Sequence, residues 1–407
     1  MSKLTVFGGR TPHGTVKISG SKNEALPVIF STLLMRGVSL IENLPDILDV
    51  DVAIRIIEYF GASVERMSDG IRVDTRNLTY APPPAELTCR LRASTYLIGA
   101  MLPRFGRCPL SGFGGCSFSP RPIDMHIDAL TALSGRVEGN EALATRLVGA
   151  DIRLRLPSVG ATVNSLLLAA SAEGRTRIFG YARESHIMNL ISFLRSAGAL
   201  IEVDDEKITV IGRELSGGKI RIAPDILEGA TYLNMSAMSG GEIFVSDVDV
   251  SAFSSLFSVY RSLGLRLMHC SRGVYIKRIS EPRAVNIVAE PEPGFPTDLQ
   301  PIFAPLIAYT SYGSIEDRVF PSRFGYLKEL SRFGVLSEGE YSAVKIFRST
   351  PRPARSTACD LRGGMAVLLS AICADGVSEI SSAELIRRGY DRLIQKLSAL
   401  SLSVVLE

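Results

Sequence analysis

Two patterns each recur six times along the 407-residue chain, and they constrain its fold more than any other feature. In the first, an apolar stretch of helical length is followed by a glycine and then by a β-rich stretch. It appears as LPVIFSTLLMRGVSLIENL, YLIGAMLPRFGRCPLSGF, NSLLLAASAEGRTRIFGYA, YLNMSAMSGGEIFVSDV, IFAPLIAYTSYGSIEDRVF and AVLLSAICADGVSEISSA. Its marker glycines are Gly37, Gly106, Gly174, Gly241, Gly313 and Gly376. In the second, an amphipathic helix ends at a turn and a short strand follows, as in IIEYFGASVE and FLRSAGALIE. Its turn positions are Gly61, Gly135, Gly198, Gly264, Gly334 and Ser401. In both series successive markers lie 63 to 74 residues apart, so two independent signals give one period.

Each unit reads as strand–helix–strand–helix–strand, with its glycines where a helix must end in a left-handed turn. Stretches such as LPVIFSTLLM and NSLLLAASA are apolar on nearly every side, whereas DVAIRIIEYFG has its apolar residues at helical spacing. One unit cannot bury a nearly all-apolar helix. Three such helices packed together, with sheets outside, can. The chain is therefore expected to form two domains of three units each, with a ligand cleft between them.

Composition narrows the function. The chain is 46% hydrophobic and 21% charged with a net charge of +3, which suits a globular protein and not a nucleic-acid coat. No run approaches 18 apolar residues, and MSKLTVFGGR lacks a charged-then-apolar leader, so a cytoplasmic protein without a membrane span is expected. The six cysteines form no CxxC pair and no zinc-like spacing, so no metal site is expected.

Chemistry concentrates in a few segments. GFGGCSFSPRPIDMH (Gly112 to His126) combines three glycines, a cysteine, two prolines and an arginine. Its backbone can approach a ligand closely, and Cys116 is a candidate nucleophile or proton donor. GSKNEALP (Gly20 to Pro27) places Lys22 and Asn23 at the start of the first apolar helix, where amides and a cation attract anions. Arg92 in LRAS, Asp298 in FPTDLQ, Arg323 in RVFPSRFG, Asp360 and Arg362 in CDLRGG and Arg388 in RRGYDR are scattered candidates. Six related units could bring them to one cationic pocket holding a thiol and a carboxylate, suited to a small polyanion or two.

Taken in order, GSKNEALP, PDILDVD, LRAS, GGCSFSPRPIDMH, SVGATV, FPTDLQ, RVFPSRF, ELSRFG, DLRGG and RGYDRL resemble the enolpyruvyl transferase family over essentially the whole chain. The closer likeness is to the branch acting on UDP-N-acetylglucosamine in peptidoglycan synthesis, not to the 5-enolpyruvylshikimate 3-phosphate branch. The resemblance implies an α/β fold, a two-domain inverse α/β barrel of six βαβαββ repeats with its active site in the interdomain cleft. It places one domain at residues 22–224 and the other at 1–21 with 225–407. It implies an enzyme that moves the enolpyruvyl group of phosphoenolpyruvate to a hydroxyl of a nucleotide sugar, with no cofactor, no nucleic-acid partner and no membrane. Cys116 matches the family's general acid, which fosfomycin alkylates, and Asp298 the group that takes the hydroxyl proton. Lys22, Arg121, Arg362 and Arg388 match the cations that bind phosphoenolpyruvate. Asn23, Arg92, Arg121, Pro122, Ile123, Asp124, Met125, Ser158, Val159, Gly160 and Val319 match positions that hold the nucleotide sugar, and Arg323 and Asp360 stand in matching motifs as further substrate-binding candidates.

The chain departs from the family pattern on the acceptor side. Leu156 stands where a lysine usually flanks the diphosphate, Ile226 replaces an arginine, His186 a glutamate and Pro321 an acidic residue, while Glu184 is kept. The loop reads SFSPRP without the usual glycine before its arginine. A smaller acceptor such as UMP, as in nucleoside-antibiotic pathways, is the alternative expectation.

Overall fold

A computed structural model describes residues 2–114, 121–248, 250–278 and 280–407; Cys116 lies outside the described residues. The chain divides into two compact units. One comprises Gly20–Ala223. The other joins the segment ending at Ser19 to Pro224–Glu407. Each has its own apolar core.

The described residues form six sheets, three per unit, and five share one pattern. In each of these five, a parallel pair is followed by two antiparallel pairings. Asp151–Arg153, for example, runs parallel to Arg175–Phe179, which pairs antiparallel with Lys207–Ile211, which pairs antiparallel with Leu200–Val203. The sixth sheet, of Arg107–Pro109, Glu141–Leu143 and Arg136–Glu138, has the antiparallel part alone among the described residues. Alternation along the strands is two-sided: Arg175–Phe179 buries Thr176 and Ile178 and exposes Arg175 and Arg177. The sheets thus face inward with one surface and solvent with the other.

The helices inside the sheets are the apolar ones. In the Gly20–Ala223 unit these are Lys22–Ser31, Leu97–Phe105 and Val159–Ala169; in the other they are Ile226–Ser239, Gln300–Ile307 and Leu361–Cys373. Val159–Ala169 is buried from Ala161 to Ala169, and Leu361–Cys373 from Leu361 to Ile372. Leu97–Phe105 packs on the other two helices of its set, and all three pairs are in contact in the second set. The amphipathic helices, such as Leu48–Tyr59 and Ser185–Ser196, bury one face and complete the layer.

The expected left-handed turn is present at Gly106, Gly174 and Gly376 but not at every marker. Gly240 takes it in place of Gly241. Gly37 is required for a different reason: a Cβ there would lie 2.2 Å from the carbonyl oxygen of Ser216. In the second series Ser134 turns in place of Gly135, and Ser401 adopts φ 64 without being glycine.

Each unit is closed by strands from distant parts of the chain. Lys219–Arg221 lies parallel to Val38–Glu42, and His13–Lys17 lies parallel to Glu242–Ser246. Ser21 donates its N–H to the Ala223 carbonyl (2.7 Å), and Asp225 donates to that of Ser19 (2.8 Å).

Candidate active site

The candidate residues fall into two sets, one per unit. In the Gly20–Ala223 unit, Lys22 opens its helix and Nζ donates to Asp49 Oδ2 at 3.0 Å. Both side chains are largely buried, at 14% and 5% exposure. Asp49 sits in the first turn of Leu48–Tyr59, and the pair locks the ammonium in place without neutralising all three of its donors. Asn23 follows, half-buried. Glu24, fully buried, accepts from the Ala223 N–H and the Asn189 amide, so the helix start is clamped from two sides. Burial raises the Glu24 pKa above its ordinary value, offset in part by these two bonds.

Arg92 opens a short 3₁₀ segment and donates from Nη2 to the carbonyl of Arg121 at 2.7 Å. Burial, with Arg121 adding to it, lowers the Arg92 pKa. Pro122 is exposed and Ile123 packs against the core. Asp124 and Met125 begin the Asp124–Ala132 helix. Asp124 pairs with Arg155, and that bond holds its carboxyl below the usual range. Ser158 caps the Val159–Ala169 helix, its Oγ accepting from the Ala161 N–H at 3.3 Å. Val159 and Gly160 supply that helix's first amides, which have no carbonyl one turn back to bond. Leu156, two residues before the cap, is 65% exposed.

In the second unit, Asp298 lies in the turn Thr297–Leu299 before Gln300–Ile307. Its Oδ1 accepts from Arg323 Nη1 at 2.7 Å, and its Oδ2 is 3.9 Å from Arg362 Nε. Arg323 is itself buried, and its carbonyl accepts from Gln300 Nε2 at 3.0 Å. Val319 donates its N–H to Asp317 Oδ1 at 2.9 Å, which shapes the loop ahead of Arg323. Asp360 is the N-cap of Leu361–Cys373: its Oδ1 accepts from the N–H groups of Arg362 and Gly363, so this oxygen is committed to the helix. Arg388 follows the short helix Glu384–Arg387 and is half-buried.

Arg362 stands apart. Its side chain is 2% exposed, yet among the described residues none of its three guanidinium nitrogens has a hydrogen-bond partner. Its guanidinium carbon lies 5.4 Å from the centroid of the Tyr390 ring. Tyr390 shares a 2.8 Å hydrogen bond with Thr231, whose hydroxyl donates to the Leu227 carbonyl; Tyr390 is thereby the donor in the first bond. Burial works against the charge on Arg362, but Tyr390, Asp298 and Asp225 outweigh it and raise its pKa. A buried guanidinium with unspent donors beside a carboxylate suits a planar anion that arrives with a ligand.

The chain matches the EPSP synthase (3-phosphoshikimate 1-carboxyvinyltransferase) family over residues 8–397. It belongs to this family of enolpyruvyl transferases. The UDP-N-acetylglucosamine 1-carboxyvinyltransferase 3 of Caldanaerobacter subterraneus subsp. tengcongensis is 36% identical, over 100% of this chain and 99% of its own length. The UDP-N-acetylglucosamine 1-carboxyvinyltransferase of Geobacter metallireducens is 34% identical over 99% of each. Among solved structures, the enolpyruvyl transferase NikO from Streptomyces tendae superposes with a TM-score of 0.91 at 24% identity, covering 100% of this chain and 99% of NikO. EPSP synthase from Acinetobacter baumannii superposes at 0.76 with 15% identity, over 100% of both chains. The fold is the two-domain inverse α/β barrel of these transferases, and the enzyme is a transferase of the enolpyruvyl type. No helix among the described residues is long and apolar enough to cross a membrane.

Four side chains stand out that the sequence reading did not select. Asp49 lies in PDILDVD and reads as an ordinary first-turn acid, and Tyr390 lies within RGYDR, where arginines draw the eye. His126 and Asn164 bond to each other across two helices 38 residues apart, which no local pattern reveals.

Proposed function

We propose that the enzyme transfers the enolpyruvyl group of phosphoenolpyruvate to the 3′-hydroxyl of UDP-N-acetylglucosamine with release of phosphate, the first committed step of peptidoglycan synthesis. The observation that carries the donor half is the buried, unspent guanidinium of Arg362 beside Asp298. The names of the curated relatives support the acceptor half.

Arg362, Arg388, Lys22 and Arg121 bind phosphoenolpyruvate through its carboxylate and phosphate. Asp298, held by Arg323, accepts the proton of the acceptor hydroxyl as its oxygen bonds to C2 of the donor. Cys116 delivers a proton to C3, giving a tetrahedral intermediate. The C2–O bond to phosphate then breaks, C3 loses a proton, and the enol ether and phosphate leave. The fixed cations stabilise charge that builds on the carboxylate and phosphate during both steps, without needing to reorient. Asn23, Arg92, the Arg121–Met125 segment, Ser158, Val159, Gly160 and Val319 position the acceptor.

A second reading, a smaller uridine nucleotide such as UMP as acceptor, is favoured by one feature. Leu156 exposes an apolar side chain just before the Ser158 cap, and neighbouring Arg155 is engaged by Asp124 and Asp128. A diphosphate there would lack a nearby lysine. The test is phosphate release from phosphoenolpyruvate with UDP-N-acetylglucosamine, UMP or shikimate 3-phosphate, with the product's mass measured. Release with UDP-N-acetylglucosamine is expected. Release with UMP alone would transfer the assignment to the second reading, and release with none by folded protein would refute both.

A further inference from the structure

We propose that His126 is a buried, neutral hydrogen-bond donor to a phosphate oxygen of the nucleotide acceptor, and that Asn164 positions it by fixing which ring nitrogen carries the proton. The inference rests on the proposed function for the identity of the ligand, but its geometry stands by itself.

Asn164, on Val159–Ala169, can be oriented in one way. Its Oδ1 accepts from the backbone N–H of Gly99 at 2.8 Å, and its Nδ2 donates to the backbone carbonyl of Thr95 at 3.0 Å. Neither backbone group can exchange its role, so the amide cannot flip. The second Nδ2 hydrogen then faces Nδ1 of His126, and Nδ1 must accept. A neutral imidazole carries one proton, which therefore sits on Nε2. The ring stays neutral because burial, and then the charge of Arg92, lower its pKa to about 4, against a smaller opposing effect of Asp124.

The Nε2–H has no hydrogen-bond partner among the described residues, although His126 is only 3% exposed. It lies against the start of the 11-residue helix that Ser158 caps. A Cβ at Gly160 would stand 3.3 Å from Nε2 and 3.1 Å from Cε1, so glycine there lets the ring edge come close. Among the described residues the amides of Val159 and Gly160 make no hydrogen bond, and they share the positive end of one helix with the nearby Nε2–H. Asp124, an acid near this end, is drawn off by Arg155. A neutral donor adds a directional bond without adding a cation that Arg92 would repel. The opposite tautomer would present a lone pair to the phosphate and weaken binding.

The experiment pairs a spectrum with kinetics on the intact enzyme. In ¹⁵N-histidine-labelled protein, the His126 signals should show the Nε2–H tautomer and should not titrate between pH 5 and 8. UMP or UDP should shift Nε2, whereas phosphoenolpyruvate alone should not. In steady state, His126→Leu should raise the KM for the acceptor roughly 10- to 100-fold, with the KM for phosphoenolpyruvate unchanged, and His126→Gln, which keeps an N–H, should recover part of the loss. A proton on Nδ1, a ring that titrates near pH 6.5, or an unchanged acceptor KM in folded His126→Leu overturns the proposal. Wild-type enzyme that releases no phosphate with any acceptor would refute the functional reading instead. The titration with UMP and UDP would then decide His126 alone, an unshifted Nε2 counting against it.

Discussion

Replacing Arg362 by lysine separates its place in the fold from its place in the chemistry. The charge stays, but a lysine cannot make the two parallel bonds that a guanidinium makes to a carboxylate or phosphate. A hydrogen bond to a charged group contributes about 1.5–3 kcal/mol, so losing one weakens phosphoenolpyruvate by roughly 10- to 150-fold. The fold should barely notice. The guanidinium nitrogens make no hydrogen bond among the described residues, and Asp298 keeps its 2.7 Å bond to Arg323. Stability should move by no more than about 1 kcal/mol, which for a unit of this size is roughly 2–4 °C in Tm. Phosphate release at saturating acceptor and varied phosphoenolpyruvate, calorimetric titration of phosphoenolpyruvate, and a thermal melt read these quantities. A loss of affinity under threefold in folded Arg362→Lys would refute the claim that the buried fork awaits the donor. A melt lowered by 10 °C or more would show that the fork serves the fold.

Cys116→Ala should melt like the parent and lose turnover by orders of magnitude, and fosfomycin should add to the parent but not the variant in an intact-mass measurement. Leu156→Lys should improve use of UDP-N-acetylglucosamine relative to UMP in competition; an unchanged ratio would remove position 156 from acceptor choice. Glu228 is fully buried, accepts from the Ser19 N–H and pairs with Lys396 at 2.6 Å, yet burial, more than these partners offset, raises its pKa from 4.5 to about 7. The native state therefore holds that proton more tightly than the unfolded chain does. Its contribution makes stability fall as pH rises from about 4.5 to 7 and level off above. Glu228→Gln should abolish that slope in denaturant titrations at several pH values; an identical slope would assign it to another group.

The six-fold repetition was legible because the two helix classes differ in patterning. LPVIFSTLLM and NSLLLAASA are apolar all round since sheets and sister helices enclose them, and DVAIRIIEYFG has a wet side. The turn chemistry was only half legible. Gly37 and Gly106 look alike in the string, but one admits a passing carbonyl and the other ends a helix. Ser134, which turns where Gly135 was expected, shows that a left-handed turn need not announce itself. The arginines at motif ends were readable as candidates, but which of them is buried with unspent donors depends on Tyr390, Asp298 and the helix of Arg362 meeting in three dimensions. Asp360 illustrates the converse: an acid in DLRGG reads as a ligand contact, and one of its oxygens caps a helix. The His126–Asn164 bond also escapes a linear reading, because its partners belong to different repeats.

The closing strands impose an order of events on synthesis. The segment His13–Lys17 leaves the ribosome early, yet its partner Glu242–Ser246 follows about 230 residues later, roughly 10–45 s at ordinary elongation rates. Lys3–Phe7 waits longer still, for Val377–Ser381 and Ser403–Leu406. The inserted stretch from Gly20 to Ala223 meets its own last strand first, so it is the part born able to finish. A nascent chain halted near residue 260 should already protect that insert from protease while the segment before Gly20 is still being cut, its strand edges left open until their partners emerge.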